Sequence, residues 1–192
     1  MADSLSRIQR SLTASSRAVA QAAAADATLI AKAADAMAER LLAGGTLFTF
    51  GNGGSAADAE HLAAELVGRF ARDRRPLGAH ALTTSSSSLT AIANDYGFDE
   101  VFARQVRGLA SSADVCVGIS TSGESANVLK GLQVAGDAGA LTISLTGRSG
   151  GPIAAASAIA IVVAEQNTAH IQEVHRVIIH AICELIESKV LS

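Results

Sequence analysis

The sequence predicts an α/β fold: a single domain with a parallel sheet, helices on both of its faces and further helices at the N-terminus. Three observations predict it. Short β-rich runs recur along the chain, and three of them end in a Gly- or Ser-rich loop that opens onto a helical stretch; strands that alternate with helices in this way form a parallel sheet covered on both sides. The first 42 residues contain neither Pro nor Gly and are rich in Ala, Leu and Ser, which favours helix. A length of 192 residues with 49% hydrophobic and 17% charged residues suits one core, leaves little room for a second, and is far from the composition of a disordered chain.

In order along the chain, Ala2 to about Leu42 reads as two helices, with Asp26 placed to cap the second. Thr46 to Phe50 is a strand that ends in the loop Gly51-Asn52-Gly53-Gly54-Ser55, and a helix follows from Ala56 to Phe70. His80 to Leu82 is a short strand. Asp114 to Ile119 repeats the first pattern, with the loop Ser120-Thr121-Ser122-Gly123-Glu124-Ser125 and a helix from Ala126 to Ala138. Leu141 to Thr146 is a strand before Gly147-Arg148-Ser149-Gly150-Gly151-Pro152 and a short helix. Ile159 to Val163 is the last strand, and a long helix runs from near Thr168 to Lys189. Apart from Ser85 to Ser88 there is no low-complexity tract and no linker, so nothing marks a domain boundary.

A net charge of −3 gives no reason to expect a nucleic-acid or anionic-membrane partner. The apolar stretch from Pro152 to Ala164 is shorter than the roughly 18 residues of a membrane span. Asp3, Arg7 and Arg10 precede any sustained apolar run, which does not match a secretory signal, so a cytoplasmic location is expected. Cys116 and Cys183 stand apart, one in a strand and one in a helix, and read as buried reduced thiols.

In an open parallel sheet, ligands bind beyond the carboxyl ends of the strands. Gly51, Gly53 and Gly54 permit close backbone approach to an anion, and Ser55 is placed to cap the next helix or to donate to a ligand. The Ser120 to Ser125 loop adds four hydroxyl donors at a helix N-terminus. Either loop alone is equally a simple turn between strand and helix, but two of them in one small sheet point to a phosphorylated ligand. Neither is a Walker loop, and neither has the GxGxxG order of a dinucleotide fold. His61 and Glu65, four apart on the first of these helices, share a face and suit two metal ligands or a coupled acid and base. On the C-terminal helix Gln172 and His180 lie roughly 80° apart around the axis, close enough to converge on one ligand. An isolated His and Glu pair at this spacing is most often a solvated helix contact, and His80 and His175 read as ordinary structural histidines.

Five blocks carry a resemblance that spans essentially the whole chain: GNGGSAADAEHLAAELVGRF from Gly51, LTAIANDYGFDEVFARQV from Leu89, GISTSGESANVL from Gly118, LTGRSGG from Leu145, and IQEVH with His180 from Ile171. In this order they resemble the sugar-isomerase (SIS) fold and, within it, the phosphoheptose isomerases, which act on sedoheptulose 7-phosphate. The resemblance implies one SIS domain over 1–192, including an N-terminal helical segment, 1–43. It implies one zinc ion per subunit on His61, Glu65, Gln172 and His180, with Glu65 and His180 as the catalytic acid/base pair. Asn52, Gly53, Gly54, Ser55, Glu65, Asn94, Asp95, Ser120, Thr121, Ser122, Ser125 and Gln172 are then the substrate-binding positions, the Ser/Thr loop holding the phosphate. It further implies a homotetramer with active sites at subunit interfaces, for which the Ala-rich N-terminal helices would be assembly surface.

The expected reaction converts the ketose D-sedoheptulose 7-phosphate to D-glycero-D-manno-heptose 7-phosphate through an enediol, the first step of nucleotide-activated heptose synthesis. A base takes a C1 proton and an acid delivers one to C2. Two other readings stand beside it. One is a non-catalytic SIS adaptor resembling the protein that associates with the bacterial replication initiator, a branch that lacks the glutamate and the distal histidine kept here as Glu65 and His180. The other is an isomerase for a different sugar phosphate, because phosphate loops do not read sugar length. Three positions depart from the family's pattern: Ser85 and Asn167 stand where Asp is common, and His170 stands where Lys or Arg is common.

Overall fold

The computed structural model describes residues 2–192. The chain runs α1 (Ala2–Leu42), β1 (Leu47–Gly51), α2 (Gly54–Val67), β2 (Ala79–Ala81), α3 (Ser86–Tyr96), a 3₁₀ turn (Phe98–Glu100), α4 (Ala103–Leu109), β3 (Val115–Ser120), α5 (Ala126–Asp137), β4 (Leu141–Gly147), α6 (Gly151–Ala155), β5 (Ile159–Val163) and α7 (Thr168–Val190). The five expected strands are present within a residue or two of their expected bounds.

The sheet is parallel throughout, in the order β2-β1-β3-β4-β5. From β1 the chain moves outward to β2, then returns to place β3 on the other side of β1. Loops leaving β1 and β3 therefore diverge and open a crevice at the carboxyl edge of the sheet between them, which is where such a fold binds ligands. Strand alternation sends Leu47, Val115, Val117, Ile119, Ile143 and Leu145 to the face covered by α1, α2 and α7. Phe48, Phe50 and Cys116 point to the opposite face, against Phe102 at the start of α4, Val106 of α4, and Val128 and Leu132 of α5. Phe50 and Phe102 stack with ring centroids 5.2 Å apart.

The N-terminal segment departs from expectation. It is one unbroken helix of 41 residues, about 60 Å long at 1.5 Å per residue. Asp26 lies inside it rather than at a cap, and burial raises the proton affinity of its carboxyl. With no Gly or Pro to stop it, an Ala-rich segment propagates through an isolated Asp, whose cost in a helix interior is under about 1 kcal/mol. Ile30, Ala33, Ala34, Met37 and Leu41 seat the second half of α1 in the same core as Val174, Ile178 and Ile182 of α7. Leu5, Ile8 and Leu12, spaced to share a stripe, stay exposed in its first half.

Cys116 and Cys183 are free and buried, as expected, and burial pushes each thiol up to about 12. Among the described residues, no helix is long and apolar enough to cross a membrane.

Candidate active site

Two helices carry the polar centre. α2 leaves the Gly-rich loop after β1, and α7 packs beside it, so that successive turns face one another in layers. In the first layer the Gln172 amide lies against Gly54, where an added Cβ would stand 2.3 Å from Nε2. In the second, Asp58 Oδ1 accepts from Arg176 Nη2 at 2.6 Å and from Nε at 2.8 Å. In the third, His61 Nε2 and His180 Nε2 are 2.9 Å apart, and Glu65 Oε1 is 3.4 Å from the same His61 nitrogen. One ligating atom from each of His61, Glu65 and His180 falls within 4.8 Å of the others. The i, i+4 spacing on α2 thus meets a histidine from α7, and the three half-buried groups form a candidate cation site.

The electrostatics suit that use. Burial first, and then the Arg176 guanidinium, lower the proton affinity of His61, against the opposing pull of Glu65. Lowered in this way, His61 favours the neutral ring that binds a metal. Phe70, just beyond α2, packs its ring on His180 with centroids 5.7 Å apart.

The crevice loops form a second group. Asn52 and Asn127 exchange side-chain amide hydrogen bonds of 2.8 and 2.9 Å, tying the loop after β1 to the start of α5. Gly53, at φ 55, is the N-cap of α2 and makes no side-chain cap bond. The expected cap, Ser55, is instead buried in the first turn, its N–H donating to the Asn52 carbonyl at 3.0 Å. Ser120 Oγ lies 3.3 Å from Ser122 Oγ and 3.0 Å from Ser125 Oγ, with half-buried Thr121 between them. These hydroxyls sit at the N-terminus of the 12-residue α5, where the helix field favours an anion.

Asn94 and Asp95 lie apart from both groups. They are exposed on α3, where Asn94 Nδ2 donates to Asp95 Oδ1 at 2.8 Å, and α3 buries none of its residues. The three departures acquire local roles. Ser85 caps α3 by accepting from Ser88 N at 3.3 Å, and Asn167 caps α7 by accepting from Ala169 N at 2.9 Å. Ser, Asn and Asp are comparable caps, so either position can lose a carboxylate without losing its helix start. His170 is buried in the first turn of α7. His175 is the structural histidine expected of it, buried with Nε2 3.0 Å from the Thr146 carbonyl. The sequence reading missed the Asp58–Arg176 pair, whose signal was there to find: Asp58 precedes His61 by one turn, and Arg176 lies midway between Gln172 and His180.

The family model for the SIS domain matches residues 12–147, which span the first four strands and the hydroxyl-rich loop at the switch point of the sheet. A phosphoheptose isomerase from Solidesulfovibrio magneticus is 55% identical over 84% of this chain and 78% of its own, and one from Aquifex aeolicus is 52% identical over 84% of each. The solved phosphoheptose isomerase of Neisseria gonorrhoeae superposes with a TM-score of 0.90 at 45% identity, covering 96% of this chain and 98% of that one. The Francisella tularensis structure gives 0.93 at 38% identity with the same coverage. The chain belongs to the phosphoheptose isomerase family of SIS-domain proteins.

Proposed function

We propose that this chain is a ketose–aldose isomerase that converts D-sedoheptulose 7-phosphate to D-glycero-D-manno-heptose 7-phosphate, opening nucleotide-activated heptose synthesis. The observation that carries this reading is the His61, Glu65 and His180 cluster, assembled from two helices in a chain about half identical to named phosphoheptose isomerases. Keeping Glu65 and His180 argues against the non-catalytic adaptor.

The substrate phosphate binds at Ser120, Thr121, Ser122 and Ser125; the three serine hydroxyls exchange their mutual hydrogen bonds for bonds to phosphate oxygens while the α5 N-terminus supplies a favourable field. Asn52, Gly53, Gly54, Ser55 and Gln172 position the sugar chain, and Asn94 and Asp95 recognise its hydroxyls. Glu65 takes a C1 proton as the C2 carbonyl oxygen, gaining charge, takes one up to give the enediol; the C1 hydroxyl then gives up its proton as the aldehyde forms and a proton is delivered to C2, with His180 the acid of the pair. Proton transfer of this kind contributes about 10²- to 10⁴-fold to rate.

The metal of the site is zinc, one per subunit, held by His61, Glu65, Gln172 and His180. The three groups brought together fit it, two imidazoles and a carboxylate, and the Gln172 amide, which lies against Gly54, is added on the family resemblance. Nitrogens 2.9 Å apart are also within about 0.5 Å of the spacing that two histidines adopt on a tetrahedral zinc. When bound, the ion supplies Lewis-acid stabilisation of developing oxyanion charge.

The protein works in the cytoplasm as a homotetramer with active sites at subunit interfaces. Support comes from the exposed stripe Leu5, Ile8 and Leu12 and from an apolar groove of about 250 Å³ between α1 and α7, lined by Val19, Ile30, Val177 and Leu185. Asn94 and Asp95, exposed on α3 in a single chain, are available to a site completed by assembly.

The test is turnover by zinc-loaded protein of sedoheptulose 7-phosphate beside five- and six-carbon ketose phosphates. Preference for the seven-carbon substrate is expected. Preference for a shorter sugar would replace this substrate with another, and a folded, zinc-loaded tetramer inert to all of them would return the adaptor reading.

A further inference from the structure

Beyond the third layer, α2 ends and the chain turns through residues 68–76 before β2. This turn is held by two charged side chains that water scarcely reaches. Arg74 is 1% exposed and Glu187, near the end of α7, is 2% exposed, with Arg74 Nε 3.8 Å from Glu187 Oε1. Burying either charge alone costs several kcal/mol, so such a pair stands out in a fold whose other ion pairs are more exposed.

Its contacts run to the two residues proposed for proton transfer. Arg74 Nη2 donates to the backbone carbonyl of Glu65 itself at 2.7 Å. Nη1 donates to the carbonyls of Leu66 at 2.8 Å and Gly68 at 3.1 Å. The guanidinium therefore satisfies the last carbonyls of α2, which have no partner within the helix, and fixes the backbone that presents Glu65. Glu187 accepts backbone N–H bonds from Phe70 at 3.1 Å, Ala71 at 3.1 Å and Arg72 at 2.9 Å. Held there, Phe70 lays its ring on His180. One buried pair thus reaches Glu65 through its carbonyl and His180 through an aromatic ring.

We infer that Arg74 and Glu187 are positioning residues that set the placement of Glu65 against His180. The inference rests on the isomerase reading for its kinetic consequence but not for its geometry. Neither residue touches substrate. Arginine is required rather than a generic cation, because only a planar fork reaches several carbonyls at once. The phosphate loop, on the far side of the crevice, is untouched by the pair.

The deciding variant is the double substitution Arg74→Met with Glu187→Leu, which removes both charges and leaves neither buried alone. Two readouts are taken: kcat and KM on zinc-loaded protein, and the ring-proton NMR signals of His180 in zinc-free protein, assigned by their loss in His180→Gln. The inference expects kcat to fall by about 10- to 100-fold, as for other residues that orient functional groups, with KM for the sugar phosphate within about twofold. It expects the His180 signals to shift as the Phe70 ring moves. A folded double variant with wild-type kcat and unmoved His180 signals would overturn it. Should the double variant fail to fold, Arg74→Lys keeps the charge and loses the fork. Reduced kcat with shifted His180 signals then supports the inference, and wild-type values overturn it. If the wild-type protein turns over no sugar phosphate, the isomerase reading has failed, and the NMR arm alone decides the positioning.

Discussion

A methyl group added at Gly54 would stand 2.3 Å from Nε2 and 2.8 Å from Cδ of Gln172. To regain a van der Waals separation of about 3.5 Å, the amide must withdraw by about 1 Å. The backbone does not resist the substitution, because Gly54 is not among the positive-φ glycines. It is also the first residue of α2, where alanine exceeds glycine in helix propensity by up to about 1 kcal/mol. Gly54→Ala should therefore raise Tm by zero to about 4 °C while lowering kcat/KM by about 100-fold, the cost of misplacing a site group by about 1 Å. Thermal unfolding followed by circular dichroism and steady-state kinetics on the same preparation give both numbers. The mechanism is checked on a Gln172→Ala background, where adding Gly54→Ala should cost little more, since the displaced group is already gone. Wild-type kinetics in Gly54→Ala, or fully additive losses in the double variant, would refute the role given to Gln172 and its layer.

Glu65→Gln should lower turnover by at least about 10³-fold while sparing assembly and sugar-phosphate binding, read by kinetics, calorimetry and sedimentation; His180→Gln should do nearly the same. Chelation should abolish activity and zinc should restore it, and His61→Ala should weaken zinc affinity by more than about tenfold, measured by competition with a chromogenic chelator. Burial, opposed by the Thr146 carbonyl and Asp58, lowers the proton affinity of His175 from an ordinary value of 6.5. Its contribution to stability is therefore complete above about pH 6.5 and declines as pH falls towards the lower native value, because the unfolded chain takes up a proton that the native one refuses. Denaturant titrations of zinc-free protein between pH 7.5 and 5, all at about the same ionic strength, should show that decline, and His175→Gln should flatten it.

The sheet was legible because each of its strands is a short apolar run, and β1, β3 and β4 end in Gly or Ser loops that lead into helices. The N-terminal segment was misread at Asp26, since a good capping residue is a helix start only where something also ends the helix before it. α3 was missed although Leu89, Ile92 and Ala93 stand at helical spacing and pack half-buried against the second core cluster; the stripe is short, and Ser85 to Ser88 before it passes for a biased tract although its first serine is the cap. At the site, His61 and Glu65 were legible because both lie on one helix at the right spacing. His180 joined them from a distant segment, its placement fixed by the packing of α7 on α2. Arg176 and Asp58 are 118 residues apart, and Phe70 and Glu187 are 117 apart. The first pair could be found only by its helical spacing from His61, Gln172 and His180, and the second has no local pattern at all, because its partnership exists only once α7 lies beside the end of α2.

The most direct test of the account is isomerisation in D₂O by zinc-loaded wild-type protein and by Glu65→Gln, followed by NMR. Proton transfer through an enediol at Glu65 and His180 predicts heptose 7-phosphate carrying deuterium at C2 from the wild type and none from the variant. Heptose 7-phosphate with only protium at C2, or deuterated product formed at the wild-type rate by Glu65→Gln, would contradict it.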